Sequence, residues 1–166
     1  DEEDDFFNLP EPQIIGEATR VMSLRDGTKK MSKSEESDYS RINLKDDADE
    51  IVKKIKKAKS DSEPIPDNLK SLEKKPEAQN LINIYSDISK TSLEKVLTEM
   101  AGKEYSYIKK KLADLLVSEI CPVGKEIDRL MKDKVFLIEI LKKGTEKASI
   151  IAEENLKNVR DKVGLI

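Results

Sequence analysis

Histidine is absent from the 166 residues, cysteine occurs once, and aromatic residues make up only 4%. Without imidazole there is no histidine general base, no Ser-His triad and none of the commonest metal ligand. A single thiol, Cys121, excludes an internal disulfide and fits a reducing compartment inside the cell; set in an apolar helical pattern before Pro122, it reads as a packing residue. No apolar run approaches the roughly 20 residues of a membrane-spanning helix, and no signal peptide is legible. No carboxylate pair stands out as general acid and base, and no metal-ligand set is expected. The formal net charge is only -3, so any hold on nucleic acid must come from local lysine clusters rather than bulk charge. The first residue is Asp1 rather than methionine, and the chain reads as the C-terminal part of a longer protein.

What the chain does have is charge, at 39% of residues, and one dense stretch: Gly27-Thr28-Lys29-Lys30-Met31-Ser32-Lys33-Ser34. Lysine ammoniums are mobile point charges for phosphate oxygens, serine hydroxyls add contacts, and a glycine lets the backbone turn and expose N–H groups. Lysine-rich loops are usually only solvated turns. The string Lys30-Met31-Ser32-Lys33-Ser34, however, is similar to the signature loop of class I aminoacyl-tRNA synthetases, and a fixed pentapeptide arises by chance with a probability on the order of one in ten thousand in such a chain.

Before the loop, Pro10, Pro12 and Gly16 make an extended arm, with short strand candidates at Gln13-Ile14-Ile15 and over 20–24. Two short strands make no stable sheet alone. After the loop the pattern is helical. Asp46-Asp47 offers caps to a helix over about 48–59, with Ala48, Ile51, Val52, Ile55 and Ala58 on one face and Lys53, Lys54, Lys56, Lys57 and Lys59 on the others. These lysines are either a solvated face or contacts to a phosphate backbone. Residues 60–75 read as loop. Pro76 opens a helix to about Ser89; Thr91-Ser92-Leu93-Glu94 has capping-box spacing and opens a helix ended by Gly102. Ser106 starts the next, which Pro122 should kink or end. Asp133 caps a short helix closed by Gly144, and Thr145 caps a last helix with Ile151, Leu156, Val159 and Val163 inside.

The run Arg20 to Ser34, the run Asp38-Tyr39-Ser40-Arg41-Ile42-Asn43-Leu44, Pro76-Glu77-Ala78 with Asn80-Leu81 and Ile84-Tyr85, and the ending from Asn155-Leu156 to Val163-Gly164 closely resemble the bacterial-type tryptophanyl-tRNA synthetases over essentially the whole chain. The resemblance implies a mainly α fold. Residues 1–45 would be the C-terminal edge of a Rossmann-like α/β catalytic domain carrying the KMSKS loop. Residues 46–132 would be a helical anticodon-binding domain, and 133–166 C-terminal helices, the last packing back on the catalytic domain.

It further implies a cytoplasmic, homodimeric ligase that uses ATP, with Mg2+ on its phosphates, to activate tryptophan and pass it to tRNA(Trp). Lys30 and Lys33 would bind the β- and γ-phosphates and serve catalysis; Ser32, Ser34 and the Met31 backbone would complete the cradle. Lys53, Lys54 and Lys57 are candidates for tRNA contact, while the anticodon-reading residues stay unassigned among Tyr105, Tyr107, Arg129 and Arg160. Gly27 and the Ser34–Ser40 segment are the expected hinges of the loop. The tryptophan pocket and the HIGH-like signature would lie upstream, so this chain alone should not catalyse. Glu35-Glu36 stands where many family members have Asp-Pro. The rival readings are a tRNA-binding module with a vestigial loop, and a helical interaction domain that binds no nucleic acid.

Overall fold

The computed structural model describes residues 6, 9–14 and 19–165. It is mainly α: a two-stranded hairpin of β1 (Met22–Ser23) and β2 (Asp26–Lys30) precedes six helices. These are α1 (Ala48–Lys56), α2 (Leu69–Leu72), α3 (Pro76–Ser89), α4 (Leu93–Met100), α5 (Tyr105–Lys132) and α6 (Lys134–Lys162). Contacts cluster into two units, Asp1–Cys121 and Pro122–Ile166, a division that falls inside α5. Hairpin and helices α1 to α4 share the first unit, and contacts do not divide the chain at 45/46.

Within the first unit the core is one apolar cluster. Ile51 and Ile55 of α1, Ala78, Leu81 and Ile82 of α3, Val96 and Met100 of α4, and Ile108 and Leu112 of α5 meet in it, with Leu24 of the hairpin turn joining them. Local chemistry sets the helix ends. Asp47 accepts from the Glu50 N–H at 2.8 Å while Glu50 accepts from the Asp47 N–H at 3.1 Å, a reciprocal box that opens α1. Its acids lie in the first turn and its lysines in the last, as the helix dipole favours. Pro76 occupies the first turn of α3, and Lys90 stops that helix in the left-handed conformation at φ 54°.

Several expectations need correction. The second strand, β2, falls where a loop is expected, because Asp-Gly-Thr-Lys-Lys has no apolar alternation and Thr28 is its one β-former; pairing with β1 and packing on α3 make it a strand. Gln13 and Ile14 are not strand, and Ile15 lies outside the described residues. Residues 69–72 form a short helix that Asn68 caps through the Ser71 N–H at 2.8 Å. At α4 the cap is Ser92, with no side-chain capping bond, so the box read from Thr91 and Glu94 does not form. Pro122 does not end α5, which continues to Lys132. Gly144 does not divide the last segment either: α6 is a single helix through it. One interior glycine costs only about 1 kcal/mol against alanine, and the helix formers on both sides outweigh that.

The second unit contains the end of α5 and α6. No described residue of α6 is buried; Ile151, Leu156 and Val163, expected inside, are exposed, as are Val135 and Leu141. Among the described residues no helix is long and apolar enough to cross a membrane.

Candidate functional site

The hairpin presents the lysine-serine loop, and side-chain and backbone bonds seat and close it. The buried Asn80 amide of α3 pairs with the backbone of Met22 in both directions, accepting from its N–H at 2.9 Å and donating to its carbonyl at 2.8 Å. Met31 N–H donates to Val21 O at 3.0 Å, closing the hairpin one residue beyond β2. Gly27 lies buried against the start of α3: a Cβ there would sit 2.6 Å from the Pro76 carbonyl carbon and 2.7 Å from the Glu77 nitrogen. Its glycine is required by close approach of two backbones, not by a positive φ, so the expected hinge role at Gly27 gives way to packing.

Beyond Met31 the chain leaves the surface of the fold. Ser32 and Ser34 bond through their hydroxyls at 2.9 Å, and Ser34 N–H donates to Ser32 Oγ at 3.3 Å, a serine turn that presents Lys33 at its tip. Lys30 and Lys33 are exposed and form no ion pair among the described residues. Lys29 alone is partly neutralised, by Asp26 at 3.6 Å. Two uncommitted ammoniums and two hydroxyls on one short loop fit the phosphates of a nucleotide. The Met31 N–H, expected to help cradle them, is spent on Val21 in this conformation.

The loop re-enters the fold at a short 3-10 turn, Asp38–Ser40. Asp38 accepts from Arg41 at 2.9 Å, Asn43 at 3.0 Å and Lys54 at 2.5 Å. Ser40 is fully buried and its carbonyl accepts from Leu24 N–H at 2.9 Å. Lys54 is 4% exposed and spans Asp38 and Asp46, the second at 2.6 Å. Burial by itself would lower the Lys54 pKa; the hydrogen bonds it donates to Asp38 and Asp46 outweigh that and hold it above the usual lysine value. The Lys54 and Asn43 donors hold the Asp38 carboxyl below its usual range.

Of the three lysines expected to meet tRNA, Lys54 is therefore withdrawn from solvent and committed to two carboxylates. The signal was present in the sequence: three residues after Ile51 and four before Ala58, Lys54 falls on the apolar stripe of α1. Lys53 and Lys57 remain exposed. Lys57 lies 4.3 Å above the ring of Tyr39, and Lys53 lines a cavity of about 230 Å3 with Asp38, Tyr39, Glu50 and Lys54. Sequence reading missed Lys109 and Lys110, which join Lys56 in a second cationic surface: with Ser60, Ser106 and Asp114 they line a cavity of about 590 Å3 between α1 and α5. There Lys109 donates to the Ala58 carbonyl at 2.7 Å and to Ser60 Oγ at 2.9 Å. Among the aromatic candidates for base contact, Tyr105 is 6% exposed with its hydroxyl on Asp61 at 3.2 Å, and burial followed by the Asp61 charge pushes its pKa up. Tyr107 is exposed, with the ammonium of Lys103 5.7 Å from its ring. Arg129 is paired with Glu126 at 2.8 Å.

The sequence model of the family described as tRNA synthetases class I (W and Y) matches residues 2–119, and the chain belongs to that family. Within it the relatives point to one amino acid. A tryptophan--tRNA ligase of Brucella melitensis is 52% identical over 159 residues, spanning 96% of this chain and 45% of that protein. One from Mesorhizobium japonicum is 48% identical over 161 residues, spanning 97% and 45%. The crystal structure of tryptophanyl-tRNA synthetase from Mycoplasma pneumoniae superposes with a TM-score of 0.72 at 28% identity, covering 90% of this chain and 46% of that one. The chain thus spans just under half the length of the relatives it matches.

Proposed function

We propose that this chain is the C-terminal part of a tryptophan--tRNA ligase and supplies its ATP-phosphate loop and part of its tRNA surface. The observation that carries this reading is the pair of exposed, unpaired lysines, Lys30 at the end of β2 and Lys33 at the tip of the serine turn that follows, in a segment anchored on both sides. In the reaction the tryptophan carboxylate attacks the α-phosphate of ATP and pyrophosphate leaves. No protein nucleophile is needed, so catalysis rests on positioning and on stabilising charge that builds on the leaving group. Lys30 and Lys33 would bind the β- and γ-phosphates, with Lys33 stabilising the transition state and the Ser32 and Ser34 hydroxyls adding contacts. Mg2+ would arrive with ATP, on its phosphates. Freeing the Met31 N–H for a phosphate would require the loop to release Val21.

In this reading residues 1–45 belong functionally to the catalytic domain, 46–132 to the tRNA-binding helices and 133–166 to a C-terminal extension that packs on the catalytic domain. The whole protein works in the cytoplasm as a homodimer. Lys53 and Lys57 are the proposed tRNA contacts, by virtue of exposure and unbalanced charge. The test is amino-acid-dependent ATP–pyrophosphate exchange on the protein at the length of its relatives, with this chain alone beside it. Exchange with tryptophan and a silent short chain is the expected result. Exchange with tyrosine moves the assignment to the sibling specificity; no exchange with any amino acid refutes the ligase and leaves a tRNA-binding module.

A further inference from the structure

We propose that Asp38 and Lys54 are positioning residues for the KMSKS loop: they fix its C-terminal end to α1, so that loop motion is confined to residues 32–37. This rests on the loop function proposed above, but its structural half stands apart from it. Asp38 opens the first regular element after the loop, and three donors converge on its carboxylate, from Lys54, Arg41 and Asn43. Lys54 emerges from the apolar face of α1, and its ammonium is also held by the buried Asp46. A lysine with 4% exposure, bound to a carboxylate from the core side and another from the loop side, is a rigid strut rather than a solvated charge. Two residues on, Ser40 is buried and bonded to the hairpin turn through Leu24. Of the expected Ser34–Ser40 hinge, the last three residues are therefore clamped. No chemistry passes through the strut, which touches no substrate. It acts by holding Lys33 within reach of the phosphates, and misplacing a reacting group by about 1 Å can cost on the order of 100-fold in rate.

The informative variant is Asp38→Asn. The Asp38 side chain is 54% exposed, whereas Asp46 is 7% exposed. Removing the Asp38 charge cuts the loop from the strut and leaves the Lys54–Asp46 pair inside the fold. Lys54→Met would instead strand Asp46 in a buried site and confound positioning with folding. In the protein at the length of its relatives, Asp38→Asn should raise the ATP KM in pyrophosphate exchange and lower kcat, by about tenfold in kcat/KM together. The tryptophan KM should stay near wild type, and the melting midpoint should fall by only a few degrees, the share of an ion pair whose carboxylate is 54% exposed. A merely structural role would lower the amount of active enzyme and leave the ATP KM alone. Hydrogen exchange on the same protein, which needs no catalysis, should show faster exchange at the amides of Leu24 and Ser40 and unchanged protection in α1. Unchanged exchange at those two amides overturns the strut whatever the kinetics. Faster exchange with ATP KM and kcat within twofold of wild type overturns its role in positioning. A wild-type protein silent in exchange with every amino acid overturns the ligase reading, and the positioning role with it.

Discussion

Replacing Gly27 by alanine tests the seating of the hairpin on α3. The added methyl would lie 2.6 Å from the Pro76 carbonyl carbon and 2.7 Å from both the Pro76 oxygen and the Glu77 nitrogen. Carbon contacts are comfortable at about 3.5–4.0 Å, so strand and helix must part by about 1 Å. All three obstacles are backbone, and no side chain can swing aside. Inserting a methyl into such a packed site costs about 1–3 kcal/mol, which for a unit of this size corresponds to a melting point lower by about 4–12 °C. Thermal unfolding of the chain reads this directly. Gly144→Ala is the control: a Cβ there meets nothing within 4 Å, and its position inside α6 predicts a gain of about 0.5–1 kcal/mol in helix stability, read as increased helicity by circular dichroism. A hinge at Gly27 would instead leave stability intact and slow only the catalysis of the longer protein. An unchanged melting point in Gly27→Ala would refute the close approach and restore the hinge.

Lys33→Ala in the full-length protein should slow adenylate formation by about 100- to 1000-fold; a loss under tenfold in pyrophosphate exchange would remove Lys33 from its catalytic role. The double variant Lys53→Ala, Lys57→Ala should reduce the salt dependence of tRNA binding by about 1.5 units of log–log slope, and an unchanged slope in filter binding across salt concentrations would dismiss both contacts. The strut also gives a pH signature. The Asp38 carboxyl is held below its ordinary value of 3.8, so its contribution to stability is present above that value and is lost as pH falls through the depressed one. The Lys54 ammonium is held above 10.5, so its contribution is complete below 10.5 and is lost as pH rises through the raised value. Melting points should therefore be level at neutral pH and fall toward both extremes, with a shallower acid limb in Asp38→Asn; identical limbs would contradict the pairing. Finally, the exposed apolar residues of α6 should make the isolated chain self-associate, and Ile151→Glu should weaken this in sedimentation velocity.

Much of the helical order was legible because periodicity and punctuation agree there. The alternation of Ile51, Ile55 and Ala58, Pro76 at a helix start, and Gly102 after α4 all fall where the pattern placed them. What escaped has a physical reason. The β2 strand is made by pairing with β1 and by packing on the start of α3, far along the chain, and five polar or glycine residues carry little local trace of that. Gly144 was overweighted, since one glycine is a small penalty against the ten helical residues before it and the eighteen after it. Within the site, the KMSKS letters could be read, but Lys54 was counted with its exposed neighbours. Its place on the apolar stripe was readable; its two carboxylate partners, one before and one after the turn at Asn43, were visible only once the chain folded.

The closure of the loop at both ends has a consequence for what the loop's own letters are for. Met31 is stitched to Val21 and Ser40 to Leu24, two bonds landing three residues apart on the same hairpin. The six residues between Met31 and Asp38 bridge points that are already fixed, bury no apolar side chain, and lengthening such a bridge twofold costs only about 0.6 kcal/mol. Folding is thus indifferent to the spelling of 32–37: a glycine-serine replacement there should yield a protein that melts like the original and has lost its business end. Any selection on Ser32, Lys33 and Ser34 acts through what the loop holds, not through the body that carries it.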